Sequence, residues 1–79
     1  DGNARCQYNI ANCYLNGDGV SVDNLEAYKW LFLACNNCSP EELEPFSQLR
    51  DTVRNILYTA DINQAEREAE SIQKRISRN

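Results

Sequence analysis

Residues 4–34 read ARCQYNIANCYLNGDGVSVDNLEAYKWLFLA and contain two helical patterns on either side of a glycine-containing turn. Gly17 and Gly19 can adopt positive φ at no steric cost, so they can end the first helix and reverse the chain. Asp23 suits the N-cap of the second helix, with Glu26 three residues later as its reciprocal capping partner. This stretch therefore predicts two antiparallel helices joined by a short turn, an αα-hairpin.

The first helix of this hairpin has apolar residues on two sides and a single narrow polar stripe. The polar stripe consists of Arg5, Asn9, Asn12 and Asn16. The apolar residues are Ala4, Tyr8, Ala11 and Leu15 on one side and Cys6, Ile10, Cys13 and Tyr14 on the other. A helix with two apolar sides needs neighbours on both, as in a stack of helical hairpins.

This hairpin resembles a Sel1-like repeat, a relative of the tetratricopeptide repeat. The residues that match are Ala4, Tyr8, Ile10, Ala11, Tyr14, Gly17, Gly19, Val20, Asp23, Ala27, Trp30 and Ala34. The family usually has Gly at the position of Ala11 and often has Pro at the position of Ser21. The resemblance implies a fragment of a right-handed α/α superhelix that binds other proteins and has no chemistry of its own. The structural core expected from it contains Ala11, Tyr14, Ala27, Trp30 and Ala34.

The second half of the chain predicts two further helices. Ser39 can cap the third helix, with Pro40 at its first position and Glu42 as the capping-box partner. Pro45 removes a helical hydrogen bond, so we expect a short first turn over 40–44 and then a kink or restart. Asp61 with Gln64 can cap the fourth helix. Helices are therefore expected near 4–16, 23–36, 45–58 and 61–76, in an all-α protein.

Residues 49–51, 59–62 and 65–66 resemble the pair of helices that often ends bacterial Sel1-repeat proteins. The chain is accordingly divided into a repeat over 1–38 and a capping hairpin over 39–79. A capping hairpin covers the open apolar side of the last repeat.

Composition excludes several classes of function. The chain has 79 residues, enough for one small domain, and a net charge of −4 without a basic cluster, which argues against nucleic-acid binding. No apolar run approaches the length of a membrane span. The chain has no histidine, and its carboxylates are scattered, so we expect neither an enzyme nor a cofactor. The repeat begins almost at once without a signal peptide, so we expect a processed chain or an excised fragment.

The four cysteines are the only candidates for chemistry. Cys6 and Cys13 lie about 10 Å apart along a helix, too far to chelate one zinc ion with Cys35 and Cys38, and we expect no metal. A disulfide between Cys6 and either Cys35 or Cys38 fits the antiparallel hairpin. Four reduced core cysteines are the alternative. The even number leans toward an oxidising compartment, periplasmic or secreted.

Two functions remain open. The first is a protein-binding module in which Arg5, Asn9, Asn12 and Asn16, with Tyr8 at the margin, contact a protein or peptide. Asparagine amides can bind a peptide backbone because they both donate and accept hydrogen bonds. The second is a structural cap of a longer solenoid that binds its partner elsewhere, and a small disulfide-stabilised secreted protein is a more distant alternative.

The hairpin leaves one side of the first helix without a neighbour in this chain. We expect Ala4, Tyr8, Ala11 and Leu15 to form that open side, with Cys6, Ile10 and Tyr14 as the alternative. Either self-association or earlier repeats of a longer protein should cover it.

Overall fold

The computed structural model describes residues 3–77. Its four helices are α1 (Ala4–Asn16), α2 (Asn24–Asn37), α3 (Pro40–Arg54) and α4 (Thr59–Ser77). The described residues contain no strand. The predicted all-α fold of four helices is confirmed, and α1 with α2 forms the predicted αα-hairpin.

The cap and the turn of the first hairpin follow the sequence closely. Asn3 caps α1, because its Oδ1 accepts a hydrogen bond of 3.0 Å from the backbone N–H of Cys6. Gly17 ends α1 with φ of 72°, and Gly19 has φ of 75°. Both glycines therefore adopt the left-handed conformation that their positions predict.

The start of α2 differs from the prediction in one respect. Asp23 Oδ1 accepts from the backbone N–H of Glu26 at 3.1 Å, as an N-cap should. The carboxylate of Glu26 pairs instead with Lys29 Nζ at 2.8 Å, and the N–H of Asp23 donates to the carbonyl of Tyr14. The reciprocal half of the predicted capping box is therefore absent at this helix.

Helix α3 begins at Pro40 and runs through Pro45 without a restart, so the predicted start at residue 45 is wrong. Glu42 helps to hold the first turn, since its Oε1 accepts from the backbone N–H of Ser39 at 3.2 Å. The missing N–H of Pro45 leaves only the carbonyl of Glu41 without its helical donor. Glu41 is exposed, so water can satisfy that carbonyl.

Helix α3 ends at Arg54 rather than residue 58, because the chain tightens immediately after it. Ile56 and Leu57 donate backbone hydrogen bonds to carbonyls only three residues earlier. The tighter turn leaves Ile56 exposed and packs Leu57 against the core. The next helix starts at Thr59, so Asp61 lies within its first turn and is not the predicted N-cap.

Helix α2 is the centre of the fold and contacts each of the other three helices. The larger buried cluster contains residues of all four helices: Ala11, Tyr28, Leu31, Val53 and Ala65. A smaller buried cluster joins the start of α1 to α2 and α3 through Ala4, Ala34 and Phe46. Core packing thus holds the second half of the chain against the first hairpin.

The expectation that Ala4, Tyr8, Ala11 and Leu15 form an open side of α1 is wrong. Ala4 and Ala11 are buried, and Tyr8 and Leu15 pack against the clusters around α2. The small Ala11 side chain permits a close approach of α1 and α2, which explains why this side faces inward. The opposite side is the outer one, where Cys6 and Ile10 are exposed.

The five expected core residues fall into two groups. Ala11, Ala27 and Ala34 are fully buried. Tyr14 is half-buried near the outer side of α1, and Trp30 is half-buried where it packs against the larger cluster. The expectation of a buried Trp30 therefore needs correction: α2 already buries Tyr28 and Leu31, which leaves Trp30 at the edge of its packed surface.

Candidate partner-binding surface

The predicted polar stripe of α1 consists of Arg5, Asn9, Asn12 and Asn16. Arg5, Asn9 and Asn16 are exposed, whereas Asn12 is half-buried. Asn12 Nδ2 donates to the carbonyl of Tyr8 in its own helix at 3.3 Å, so one of its donors is already in use. The residues recur at intervals of three and four, which places them on one side of α1.

The amino-terminal end of the stripe, at Arg5, lies beside the first turn of α3. Arg5 Nη2 lies 3.5 Å from Glu42 Oε2, and the Arg5 side chain remains 77% exposed. Such an exposed ion pair constrains the guanidinium only weakly. The polar surface of α1 therefore extends to α3 through a contact that a partner could displace.

Tyr8 contributes to helix packing more than to the surface. Its ring stacks on Phe46 with centroids 4.3 Å apart and an interplanar angle of 12°. The side chain is half-buried between α1 and α3. Tyr8 therefore fixes the spacing of these two helices beside the polar stripe, and only its exposed part is available for contact.

An amide cluster that the sequence did not predict joins α1, α2 and α4. Asn37 Nδ2 donates to Gln73 Oε1 at 2.9 Å, to Gln7 Oε1 at 3.3 Å and to the carbonyl of Leu33 at 2.8 Å. Gln73 Nε2 donates back to Asn37 Oδ1 at 3.1 Å. Gln7 is only 1% exposed, although its type favours the surface. The burial of Gln7 could have been predicted from its position, three residues after Ala4 and four before Ala11, which places it on the same side of α1 as these two alanines.

A second polar contact that the sequence did not predict joins α2 to α4. Tyr28 is buried and its hydroxyl donates to Glu66 Oε2 at 2.8 Å. Burial, and then the hydrogen bond and negative charge of Glu66, raise the pKa of Tyr28 to about 12. Glu66 is charged, yet it lies half-buried against α2.

The charged residues of α4 border an open depression on its outer side, lined by Ala60, Gln64, Arg67 and Glu68. Glu68 lies 3.7 Å from Lys29 Nζ and accepts from Gln64 at 3.1 Å. The Lys29 contact links α4 to α2, and the Gln64 contact joins two residues of the depression to each other.

The four cysteines are free thiols in the structure, with Cys6 exposed and the other three half-buried. Cys35 and Cys38 pack against the smaller cluster beside Ala4 and Phe46. Burial raises the pKa of the Cys35 thiol, and the Arg50 guanidinium opposes that rise. The predicted bond from Cys6 to Cys35 or Cys38 is not formed, and it stays a prediction for non-reducing peptide mapping.

The described residues hold no group of three or more Cys, Asp or Glu side chains placed to bind a metal ion. Among the same residues, no helix combines the length and the apolar character needed to cross a membrane.

The geometry of the first hairpin agrees with a comparison against known families. Residues 4–37 match the family model described as the Sel1 repeat. This segment of the chain is a Sel1 repeat. Sel1 repeats are generally protein-interaction modules. Comparison with curated proteins and with solved structures gave no significant match in either case.

The Sel1 repeat covers α1, the glycine turn and all of α2, which is less than half of the 79 residues. Every residue of the polar stripe belongs to the Sel1 repeat. Helices α3 and α4 lie outside it, although α2 of the Sel1 repeat provides the surface on which both of them pack.

Proposed function

We propose that this chain is a non-enzymatic protein-binding module whose polar stripe on α1 contacts an extended peptide segment of another protein. The observation that carries the proposal is the exposure of Arg5, Asn9 and Asn16 on one side of a Sel1 repeat. Sel1 repeats generally mediate contacts between proteins, which favours this function over catalysis.

The chemistry of the stripe suits a peptide backbone. Each asparagine amide offers two donors and one acceptor group, which match the carbonyl and N–H groups of an extended chain. Arg5 adds a cation that can attract an acidic side chain of the partner, since its pairing with Glu42 is weak. The stripe thus favours peptide backbones, with a preference for acidic side chains near the amino-terminal end of α1.

We further propose that residues 39–79 act as a cap for the repeat. Phe46, Val53, Ala65 and Ala69 are buried. The helices that carry them, α3 and α4, pack against α2. Two helices placed this way protect apolar surface of α2 that a further repeat would otherwise cover. The cap meets the polar stripe at the ion pair of Glu42 with Arg5, and Arg5, Asn9 and Asn16 stay exposed.

The test is selection of peptides from a phage-displayed random library on the immobilised chain. Each selected peptide is then titrated against the double variant Asn9→Ala and Asn12→Ala. We expect at least a tenfold loss of affinity with little change in melting temperature, because Asn9 is exposed and the Asn12 side chain donates to a carbonyl of its own helix.

Asn63→Ala on α4 is the matched control, since Asn63 is also an exposed helical asparagine. It should leave binding unchanged. Peptides that bind the double variant as tightly as the parent would assign binding to another surface. A large drop in the melting temperature of the double variant would show that the stripe is needed for folding.

A further inference from the structure

Glu42 lies where the polar stripe meets the start of α3, and its two carboxylate oxygens have different partners. Oε1 accepts hydrogen bonds from the backbone N–H and from the hydroxyl of Ser39, both at 3.2 Å. Oε2 lies 3.5 Å from Nη2 of Arg5. The same carboxylate therefore holds the first turn of α3 and pairs with the one cation of the stripe.

The two members of this ion pair differ in how firmly they are held. The Glu42 side chain is 28% exposed and is anchored by Ser39, whereas the Arg5 side chain is 77% exposed. A long arginine side chain in such an exposed pair keeps much of its rotamer freedom. Glu42 is thus a fixed negative charge beside a movable guanidinium.

A partner's carboxylate that approaches Arg5 meets the charge of Glu42 at close range. The guanidinium only donates hydrogen bonds, so Glu42 and the incoming carboxylate compete for it. The two carboxylates also repel each other, because like charges a few ångströms apart interact strongly near a protein surface. An amide in the same place meets neither cost, and its NH₂ group can donate to Glu42.

We propose that Glu42 is a specificity-determining residue of the polar stripe, which acts as an internal counter-ion of Arg5 and so limits the binding of acidic peptides. The preference for acidic side chains at this end of α1 is therefore small in the parent chain, and its size is set by Glu42. The inference rests on the proposed function, because it concerns the peptide that the stripe binds.

Glu42→Gln separates the charge of this residue from its capping role. Glutamine keeps an oxygen that can accept from Ser39, and it serves in capping boxes as glutamate does. Glu44→Gln is the matched control, since Glu44 is an exposed glutamate whose carboxylate accepts from Gln48. It lies two residues beyond Glu42, on nearly the opposite side of α3, and removes the same charge away from Arg5.

The probe is a synthetic peptide from the phage selection whose affinity falls with Asn9→Ala and Asn12→Ala. Each of its positions is replaced in turn by Asp and by Asn, which have the same shape and differ in charge. Titration calorimetry on the full chain gives the ratio of the two affinities at each position. The position at which Arg5→Gln lowers this ratio is the one that faces Arg5.

At that position we expect Glu42→Gln to raise the ratio of Asp to Asn affinity by about threefold to tenfold. Added sodium chloride should reduce the gain, because it screens exposed charges. Glu44→Gln should change the ratio less than twofold. In the Arg5→Gln background the effect of Glu42→Gln should be smaller, since competition for the guanidinium is gone and only repulsion between carboxylates remains.

The ratio compares two peptides on the same protein, so a partial loss of folded chain in Glu42→Gln cancels from it. A ratio that Glu42→Gln leaves unchanged, or that Glu44→Gln raises equally, would overturn the role of Glu42 and leave the proposed function intact. The same holds for a scan in which no position responds to Arg5→Gln. Selected peptides that are all indifferent to Asn9→Ala with Asn12→Ala would overturn the proposed function and this inference together.

Discussion

The side chains of Asn37 and Gln73 hydrogen-bond to each other in both directions, at 2.9 and 3.1 Å, and so tie the end of α2 to α4. The same Asn37 amide also reaches Gln7 on α1. One residue at the end of the Sel1 repeat therefore connects the repeat internally and joins it to the helix that follows. A partly buried amide contact of this kind stabilises the fold only while its partners stay matched.

We expect Asn37→Ala to lower the free energy of unfolding by about 1–3 kcal/mol, because Gln7 and Gln73 then lose a hydrogen-bond partner in a buried region. Urea denaturation measures this difference. Asn36→Ala is the matched control, since Asn36 is the adjacent exposed asparagine of the same helix. Equal effects of the two substitutions would show that helix capping or propensity, and not the amide cluster, explains the loss.

Tyr28→Phe should lower the free energy of unfolding by about 1–3 kcal/mol, since it removes a buried hydrogen bond to a carboxylate. The control is Tyr58→Phe, which alters a phenol that is 82% exposed and should have almost no effect. If both substitutions are neutral, the hydroxyl of Tyr28 is not stabilising α4.

The Tyr28 contact also predicts a dependence on pH. The pKa of Tyr28 in the folded protein is about 12, above the value of about 10 expected when the chain is unfolded. Its contribution to stability is complete below about pH 10 and is lost as the pH rises through 12, because only the unfolded phenol ionises readily in that window.

Unfolding curves of the parent and the Tyr28→Phe variant should therefore converge between about pH 10 and 12. A difference between the two proteins that stays constant over this window would contradict the raised pKa. Tyr58→Phe again serves as control, and its difference from the parent should remain near zero.

The two glycines of the first turn should respond differently to alanine. Both Gly17 and Gly19 have φ above 70°, which costs an L-residue about 1–2 kcal/mol. A Cβ at Gly17 would also lie 3.2 Å from Cγ2 of Val22, whereas a Cβ at Gly19 meets nothing within 4 Å.

We expect both Gly17→Ala and Gly19→Ala to lower the melting temperature, with Gly17→Ala the more harmful. Thermal unfolding followed by circular dichroism measures the order. The reverse order would mean that backbone strain differs between the two sites in a way that their similar φ angles do not explain.

The sequence by itself determined the local features of this protein. Asn3, Gly17, Gly19 and Asp23 act within a few residues of themselves, so their capping and turn roles follow from residue type and spacing alone. The four helices and the αα-hairpin of α1 and α2 could be predicted for the same reason, because helical periodicity and turn chemistry are local properties.

Tertiary structure decided which side of each helix faces inward. Both apolar sides of α1 fit the pattern equally well, and the contact with α2 buried Ala4 and Ala11 while leaving Cys6 and Ile10 outside. Pro45 was tolerated because the residue whose carbonyl it deprives of a donor, Glu41, is exposed to water. These outcomes depend on neighbours far away in sequence.

The amide cluster and the contact between Tyr28 and Glu66 could also not be predicted from the sequence. Gln7 and Gln73 are 66 residues apart, and their types alone favour solvent. Only the packing of three helices brings them to the same Asn37, where burial makes hydrogen bonding obligatory. Periodicity predicts which side of each helix is apolar, but the residues that contact that side are decided by how the helices pack.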